Sequence, residues 1–278
     1  DALEANATLP GLYVSLDDPK SVIVDRFTTI LARLAIERAP GEAEDAYARG
    51  LAGVSINALK RNLDGSPRLK DAKLAAADRL TAWASAGRLD IRDITELATG
   101  DALERHIRGM ARGGRKPFVV IDALFNLDTG SNAGNLREEN IERAQFLKKL
   151  SDDLEIPIWT TAEIRKASGA QTVKPRQLYS PPTTDDIMES SKYAYNANAV
   201  FMLYPETWDD FRESEAPRLV IDVQKNKLSD FKKPIFATFT KRAAFMELDP
   251  NYKPAGKKEK AESTNKPGAG ANVRKEDL

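Results

Sequence analysis

Two aspartates lie at the ends of apolar segments, where a carboxylate could take part in catalysis or metal binding. Asp122 lies inside the run PFVVIDALFNL at 117–127, and Asp17 directly follows GLYVSL at 11–16. Ligands of open α/β sheets bind beyond the carboxyl ends of the strands. A carboxylate there can hold the hydration shell of a magnesium ion, and a second one can orient an attacking water. Each aspartate could instead cap the turn after its strand.

Polar side chains end a third apolar segment, and two lysines lie in a later one. Thr160, Thr161 and Glu163 follow the apolar part of IPIWTTAE, where they either sense a nucleotide phosphate or begin a loop. Lys225 and Lys227 are two residues apart in an extended segment, so both ammonium groups project to the same side. This lysine pair either contacts a phosphate from a neighbouring subunit or protects an edge strand against aggregation.

The elements that would position these residues alternate between helix and strand. The run that contains Asp122 is apolar without alternation, as is typical of a parallel strand covered on both faces. A helical pattern precedes it at 99–112 and ends at a glycine pair, and another follows at 137–154 before the strand at 156–161. This order predicts parallel βαβ units in one α/β domain.

The first part of the chain predicts helices between two short strands. A helix at 20–37 begins after Asp18-Pro19, and Asp18 is interpreted as its cap. Residues 42–87 predict two or three further helices, and 89–94 a short strand. Two tryptophans are predicted in the core and the single histidine on an exposed helix face: Trp83, Trp159 and His106.

The second part predicts a long loop, a short helix and several strands. The loop covers 166–184, and the helix 185–195. Four strands are predicted at 199–204, 218–223, 234–239 and 243–248. The segment 249–278 is rich in Lys, Gly, Pro and Glu and is almost free of apolar residues. We therefore expect a domain at 1–248 followed by a disordered tail at 249–278.

Composition excludes several kinds of site. The 278 residues contain no cysteine and one histidine, which excludes disulfides, thiolate catalysis and multi-histidine metal sites. Lys+Arg and Asp+Glu both number 42, and zero net charge neither indicates nor excludes a nucleic-acid partner. No run is long and apolar enough to cross a bilayer, so no membrane partner and a cytoplasmic location are expected.

Several segments, taken in order, resemble the RecA-like motor domain of DnaB-type replicative helicases. VSLDD at 14–18 is similar to the family's strand ending in Ser-Leu-Glu, and VIDAL at 120–124 to its Walker B strand. IPIWTTAE at 156–163 resembles the strand that usually ends in Ser-Gln. DIMES with the following NANAVFMLY resembles the Leu-Arg-Glu-Ser segment and its strand, and QKNK at 224–227 the basic motif that reaches the adjacent subunit's nucleotide. The resemblance spans about 11–248.

This resemblance implies the fold, the cofactors and a role for each candidate residue. It implies a RecA-like P-loop NTPase fold, a largely parallel sheet flanked by helices that lacks the first strand and the Walker A loop, with ATP and magnesium as cofactors. Asp122 would hold magnesium, and Asp17 would stand where the water-activating glutamate belongs. Thr161 would contact the nucleotide, and Glu163 would replace the sensor glutamine. Lys225 and Lys227 would act on the nucleotide of the adjacent subunit, and the loop 166–184 would touch single-stranded DNA.

The sequence departs from the family pattern at several of these positions. Asp17 is one methylene shorter than glutamate, ionised Glu163 cannot donate a hydrogen bond as glutamine does, and Lys227 lacks the bidentate fork of arginine. No GxxxxGK[ST] occurs in the 278 residues. We therefore expect either a fragment whose phosphate loop lies upstream and which is inactive alone, or a degenerate relative that does not hydrolyse ATP.

The function expected from the resemblance is that of an ATP-dependent, ring-forming replicative DNA helicase motor. Its expected partners are single-stranded DNA, identical subunits in a homohexamer, and a primase or helicase loader. A recombination ATPase of the RecA or RadA type and a KaiC-like signalling ATPase share this fold. A non-catalytic DNA-binding or assembly module with a degenerate site is the alternative outside enzymes, and a standalone hydrolase built on Asp17 and Asp122 is a further one.

Overall fold

The structure is a computed structural model, and it describes residues 9–37, 67–130, 134–164, 181–187, 192–241 and 245–252. The first half contains β1 (Gly11–Ser15), α1 (Lys20–Glu37), α2 (Pro67–Ser85), β2 (Leu89–Asp93), α3 (Ile94–Leu97), α4 (Gly100–Met110), β3 (Phe118–Asp122), α5 (Leu136–Leu154) and β4 (Ile158–Thr160). The second half contains α6 (Lys192–Asn196), β5 (Ala199–Pro205), α7 (Trp208–Glu213), β6 (Arg218–Asn226), β7 (Ile235–Thr240) and β8 (Phe245–Leu248). Short 3-10 turns lie at Arg112–Gly114, Leu124–Asn126 and Thr184–Asp186.

The first four strands form a parallel sheet in the order β2-β1-β3-β4. Ser15 at the end of β1 lies beside Asp93 of β2 and Asp122 of β3. The carboxyl ends of three strands therefore meet at one edge, as the alternation of helix and strand predicts. The α/β prediction is confirmed by this sheet and its flanking helices.

Each face of the parallel sheet has its own apolar core. One face packs against α4 and α5 through residues that are almost completely buried, among them Val14, Leu103, Ile107 and Ile121. The other face packs against α1 and α2, with Trp83, Leu89 and Ile91 in its core. Successive residues of β1 pack into opposite cores because successive side chains of a strand point to opposite faces of the sheet. The prediction that Trp83 is a core residue is confirmed.

The last four strands form a separate antiparallel sheet in the order β5-β6-β7-β8. The strands predicted between 199 and 248 are all present, and β6 continues to Asn226. Residues 249–252 pack on this sheet: Asp249 accepts from the Arg218 guanidinium at 3.1 Å, and Arg218 lies 3.7 Å from the centre of the Tyr252 ring. Residues 249–252 are therefore ordered, contrary to the expectation of a disordered tail from 249, and residues 253–278 lie outside the described part of the chain.

The start of α1 differs from the prediction. Asp18 is predicted to cap the helix, but its carboxylate pairs with Arg26 at 2.6 Å. The first amide of the helix, at Lys20, donates instead to Asp93 Oδ2 of the neighbouring strand at 2.9 Å. Asp93 also caps α3 through its bond from the Thr95 amide. The sequence pattern identifies only local caps, whereas this cap reaches α1 from the adjacent strand.

Replacing Asp93 by alanine is expected to lower the melting temperature of the chain by about 5 °C, because one side chain caps two helices. The hydrogen bond from the Thr95 hydroxyl at 2.6 Å, and after it the bond from the Lys20 amide, lower the pKa of the Asp93 carboxyl. A lowered pKa adds stability that is complete above the ordinary pKa of a carboxyl and is lost as the pH falls through the lowered value. The melting difference between the two proteins should therefore shrink below about pH 4. A difference that stays constant to pH 2 would contradict this explanation.

Two other predictions are wrong. His106 is predicted to be exposed, but its Nε2 lies 2.8 Å from Asp90 Oδ2, because β2 presents this acid to α4. Trp159 is predicted in the core, yet it is 52% exposed and stacks on Phe201 of β5 with 5.7 Å between ring centres. No helix among those described covers this part of the sheet face.

Some predictions fall wholly or partly outside the described residues. Most of the helical region at 42–87 does so, with α2 as its described part. Most of the predicted loop at 166–184 does so as well. The predicted helix at 185–195 contains a 3-10 turn and the start of α6, with 188–191 outside the described part. In the described helices, no stretch is long and apolar enough to cross a membrane.

Candidate functional site

Asp122 is the centre of the carboxyl edge of the parallel sheet. It ends β3, and both of its carboxylate oxygens accept a hydrogen bond from a neighbouring strand or strand end. Thr161 Oγ1 donates to Oδ1 at 2.6 Å, and the Tyr13 hydroxyl donates to Oδ2 at 2.9 Å. The two hydroxyls fix the orientation of the carboxylate. The structure thus brings the predicted residues Asp122 and Thr161 together.

Tyr13 is a site residue that the sequence reasoning does not identify. It lies on β1 directly beside Val120 of β3, so its side chain shares a sheet face with Asp122. Burial is the main cause that raises the pKa of the Tyr13 hydroxyl, and the hydrogen bond to Asp122 adds to it. The phenol therefore stays protonated and acts as a donor. A tyrosine inside an otherwise apolar strand is the available signal, because a buried hydroxyl needs a partner.

A compact turn places Asp17 one residue beyond Leu16, whose backbone pairs with the end of β3. The Leu16 amide donates to the Asp122 carbonyl at 2.6 Å, and Asn126 Nδ2 donates to the Leu16 carbonyl at 3.1 Å. Ser15 Oγ closes the turn by accepting from the Asp18 amide at 3.1 Å. Asp17 follows Leu16 and is exposed, so its carboxylate is accessible to solvent.

The donor set at this edge fits a magnesium ion that also binds phosphate. In the ranges that the structure describes, no group of three or more acidic or histidine side chains could hold a metal ion. Magnesium, however, is often bound by one or two carboxylates together with waters and substrate phosphates. Asp122 with the hydroxyl of Thr161 is a donor set of this kind, because it leaves most positions to a nucleotide. Such an ion would neutralise charge on the phosphates.

Glu163 lies just beyond β4 and does not join Asp122. It is exposed, and the next residue, Ile164, forms an antiparallel bridge with Ile187. Thr160 is likewise exposed, and its hydroxyl is 3.3 Å from the carbonyl of Thr161. Of the polar residues predicted at the end of this strand, Thr161 alone contacts the carboxylate.

The two predicted lysines belong to the antiparallel sheet, and their environments differ. Lys225 Nζ donates to the carbonyls of Ala194 at 2.7 Å and Tyr195 at 2.8 Å, at the end of α6. Burial, and secondarily the charge of Lys227, lowers the pKa of the Lys225 ammonium. Lys227 follows the end of β6, and its amide donates to the Asn198 carbonyl. The sequence predicts the same role for both lysines, but their surroundings in the structure differ.

The comparisons with known proteins give one family match and a shared fold. The sequence model described as "DnaB-like helicase C terminal domain" matches residues 43–245. The fold is similar to two solved structures, each with a TM-score of 0.64, 14% identity and 87% of this chain covered: "ATPase Domain of G40P" and "The Structure Of A DnaB-Like Replicative Helicase And Its Interactions With Primase".

The aligned part is 75% of the first of these chains and 51% of the second, so this chain spans about half the length of the second. No curated protein sequence matches it. The similarity to the solved structures supports the RecA-like α/β fold. The family match spans well over half of the sequence, and the chain therefore belongs to the DnaB-like helicase C terminal domain family.

Proposed function

We propose that the chain is part of the motor of a ring-forming replicative DNA helicase, which couples ATP hydrolysis to translocation on single-stranded DNA. The match to the DnaB-like helicase C terminal domain family supports a helicase ATPase. The observation that carries the finer proposal is Asp122, held by Tyr13 and Thr161 at the carboxyl edge of the parallel sheet. This is the edge at which sheets of this class bind nucleotides.

The described sheet has room for the strand that would carry the phosphate loop. Two hydrogen bonds join β3 to β4: the Val119 amide donates to the Pro157 carbonyl at 3.1 Å, and the Thr161 amide donates to the Ile121 carbonyl at 3.2 Å. In this ladder the backbone groups of Ile158 and Thr160 point away from β3. No described strand pairs with this outer edge of β4. The same region leaves Trp159 exposed. A strand beside β4 and a helix over Trp159 would complete both the sheet and its core.

We assign the following roles in that motor. Asp122 and Thr161 bind the magnesium–nucleotide complex, and Tyr13 orients Asp122. Asp17, exposed on the turn beside them, orients the attacking water. Glu163, exposed beyond β4, interacts with the nucleotide or with the water in place of a sensor glutamine. Lys225 and Lys227 serve the nucleotide of the adjacent subunit.

Lys227→Ala is expected to lower ATP turnover by the assembled protein about 100-fold or more, because a cation supplied by a neighbour stabilises the transferring phosphoryl group. Nucleotide binding by a separated subunit should not change. The matched control is Lys233→Ala, which removes an exposed lysine from the same connection between β6 and β7. Steady-state turnover and equilibrium nucleotide binding distinguish the two effects. Wild-type turnover by Lys227→Ala would remove its role in the adjacent site.

The partners proposed for this motor are single-stranded DNA, a homohexamer of identical chains, and a primase or helicase loader. The printed title of one structural relative describes interactions of that helicase with primase. Analytical ultracentrifugation of the complete gene product with ATP and a DNA oligonucleotide tests the ring. A monomer under all these conditions would contradict it.

A non-catalytic DNA-binding or assembly module is the second candidate. The shorter acid at Asp17, the glutamate at 163 and the lysine at 227 favour it. The coding sequence immediately before Asp1 distinguishes the candidates. An in-frame apolar strand followed by GxxxxGK[ST] within about 40 residues supports the motor. A start codon close to Asp1 without such a loop would support the module.

A further inference from the structure

The outer edge of β2 is an unpaired strand edge at the opposite side of the parallel sheet. The Gly11 amide donates to the Arg88 carbonyl at 2.8 Å, and Gly11 lies opposite Leu89. In a parallel ladder with this register, the backbone groups of Arg88, Asp90 and Arg92 face β1. The N–H and C=O groups of Leu89 and Ile91 therefore face outward. In the described part of the chain, no strand pairs with them.

The Asp93 amide is the next backbone N–H of β2 that faces away from β1. It already has a partner, which supports the conclusion that Leu89 and Ile91 face outward. The Asp93 amide donates to Glu96 Oε2 at 3.3 Å, at the point where β2 turns into α3. The open stretch is therefore limited to the part of β2 before Asp93. The strand contains no proline or bulge that would prevent pairing at this edge.

A groove with a volume of about 530 Å³ runs along this edge. On one side it is walled by α1 and α2, which contribute Val24, Leu80 and Ala84. On the other side lies Met110 at the end of α4. Extended chain fits such a groove better than a helix, because an added strand would satisfy the outward groups of Leu89 and Ile91. Alternate side chains of that strand would lie against the apolar wall of α1 and α2.

The charged residues of the groove favour an acidic partner. Its lining contains three cationic side chains, Lys20, Arg92 and Arg115, and one acid, Asp90. Both oxygens of Asp90 have partners: Oδ1 accepts from Arg92 Nε at 2.8 Å, and Oδ2 lies 2.8 Å from His106 Nε2. Glu96 offsets part of the charge of Lys20 and Arg92. Among the described residues, Arg115 has no carboxylate within ion-pair distance, and its Nε donates to the Arg112 carbonyl.

We propose that the outer edge of β2 binds an extended peptide segment of a partner protein, in which apolar and acidic side chains alternate. The segment adds one strand to the parallel sheet, its apolar residues contact α1 and α2, and its acidic residues contact Arg115 and the neighbouring cations. This surface is at the opposite edge of the sheet from β4 and is separate from the proposed nucleotide site.

The probe that tests this inference is a labelled hexapeptide of alternating valine and glutamate, and the comparison peptide replaces glutamate by lysine. The complete 278-residue chain should bind the acidic peptide with a Kd below about 1 mM and at least 10-fold more tightly than the basic one. On binding, amide exchange at Leu89 and Ile91 should slow, because both groups then donate to the added strand. Failure to bind, equal binding of both peptides, or protection of these amides in the free chain would overturn the proposal.

Two surface variants separate this site from general charge attraction. Ala84→Trp fills the groove from an exposed helix position and should weaken binding of the acidic peptide at least 10-fold. Arg115→Glu should reverse the preference between the two peptides. The matched control is Arg105→Glu, an equal charge change at an exposed position of α4 outside the groove lining, and it should keep the wild-type preference. A preference that responds equally to both arginine variants would contradict a site at β2.

Discussion

Replacing Asp122 by asparagine is expected to lower the DNA-stimulated ATP turnover of the complete protein by about 100-fold or more, because the proposed magnesium ion would lose the carboxylate assigned to it. Asparagine has nearly the same shape and can keep hydrogen bonds to the Tyr13 and Thr161 hydroxyls. The variant therefore separates loss of charge from loss of structure. Turnover at saturating ATP and magnesium, measured alongside the melting temperature, is the direct test.

Two further variants make this test specific. Asp101→Asn removes an exposed carboxylate from the first turn of α4 and should leave turnover unchanged. Tyr13→Phe removes the donor to Asp122 Oδ2 and should lower turnover by about 10-fold, as expected of a group that orients a metal ligand. It should also raise the magnesium concentration needed for half-maximal turnover, which a purely structural defect would not change selectively. Near wild-type turnover by Asp122→Asn would contradict the proposed magnesium site.

The sequence predicts those parts of the site that depend only on the order of elements. Alternation of helices and strands indicates parallel pairing, and parallel pairing brings the ends of β1, β3 and β4 to one edge. This reasoning brings Asp122 and Thr161 to the same edge, but it does not distinguish Thr161 from Thr160 or Glu163. It does not identify Tyr13, because the contact of Tyr13 with Asp122 depends on which residues of β1 and β3 lie side by side.

When the partner of a side chain belongs to a distant element, the sequence pattern does not identify that partner. A two-residue spacing on an extended segment gives Lys225 and Lys227 the same direction, but it cannot indicate that the carbonyls at the end of α6 bind the Lys225 ammonium. Apolar character likewise places Trp159 in a core without showing which face is covered. The wrong placement of Trp159 and the missed contact of Lys225 have one cause: side-chain partners depend on tertiary packing, which a local pattern does not contain.

A buried polar group on α5 is the clearest example of this limit. Arg143 is only 8% exposed and Asn140 only 1%, and the helical pattern alone does not indicate what their polar groups bind. Arg143 donates from Nε to the Leu127 carbonyl at 2.6 Å, from Nη1 to Asn140 Oδ1 at 2.8 Å, and from Nη2 to Glu139 at 3.1 Å. Asn140 also accepts from the Tyr193 hydroxyl. Arg143 therefore joins α5 to the segment after β3, and Asn140 extends the network to α6.

Arg143→Met is expected to lower the free energy of unfolding by about 3 kcal/mol, because methionine fills much of the space but leaves the Leu127 carbonyl and the Glu139 carboxylate without their donor. The matched control is Arg137→Met on the same helix, an exposed position where the change should stay within about 0.5 kcal/mol. Urea unfolding of the two variants measures the difference directly. If both variants lose the same stability, the effect belongs to arginine on the helix rather than to the buried hydrogen bonds, and the joining role of Arg143 is wrong.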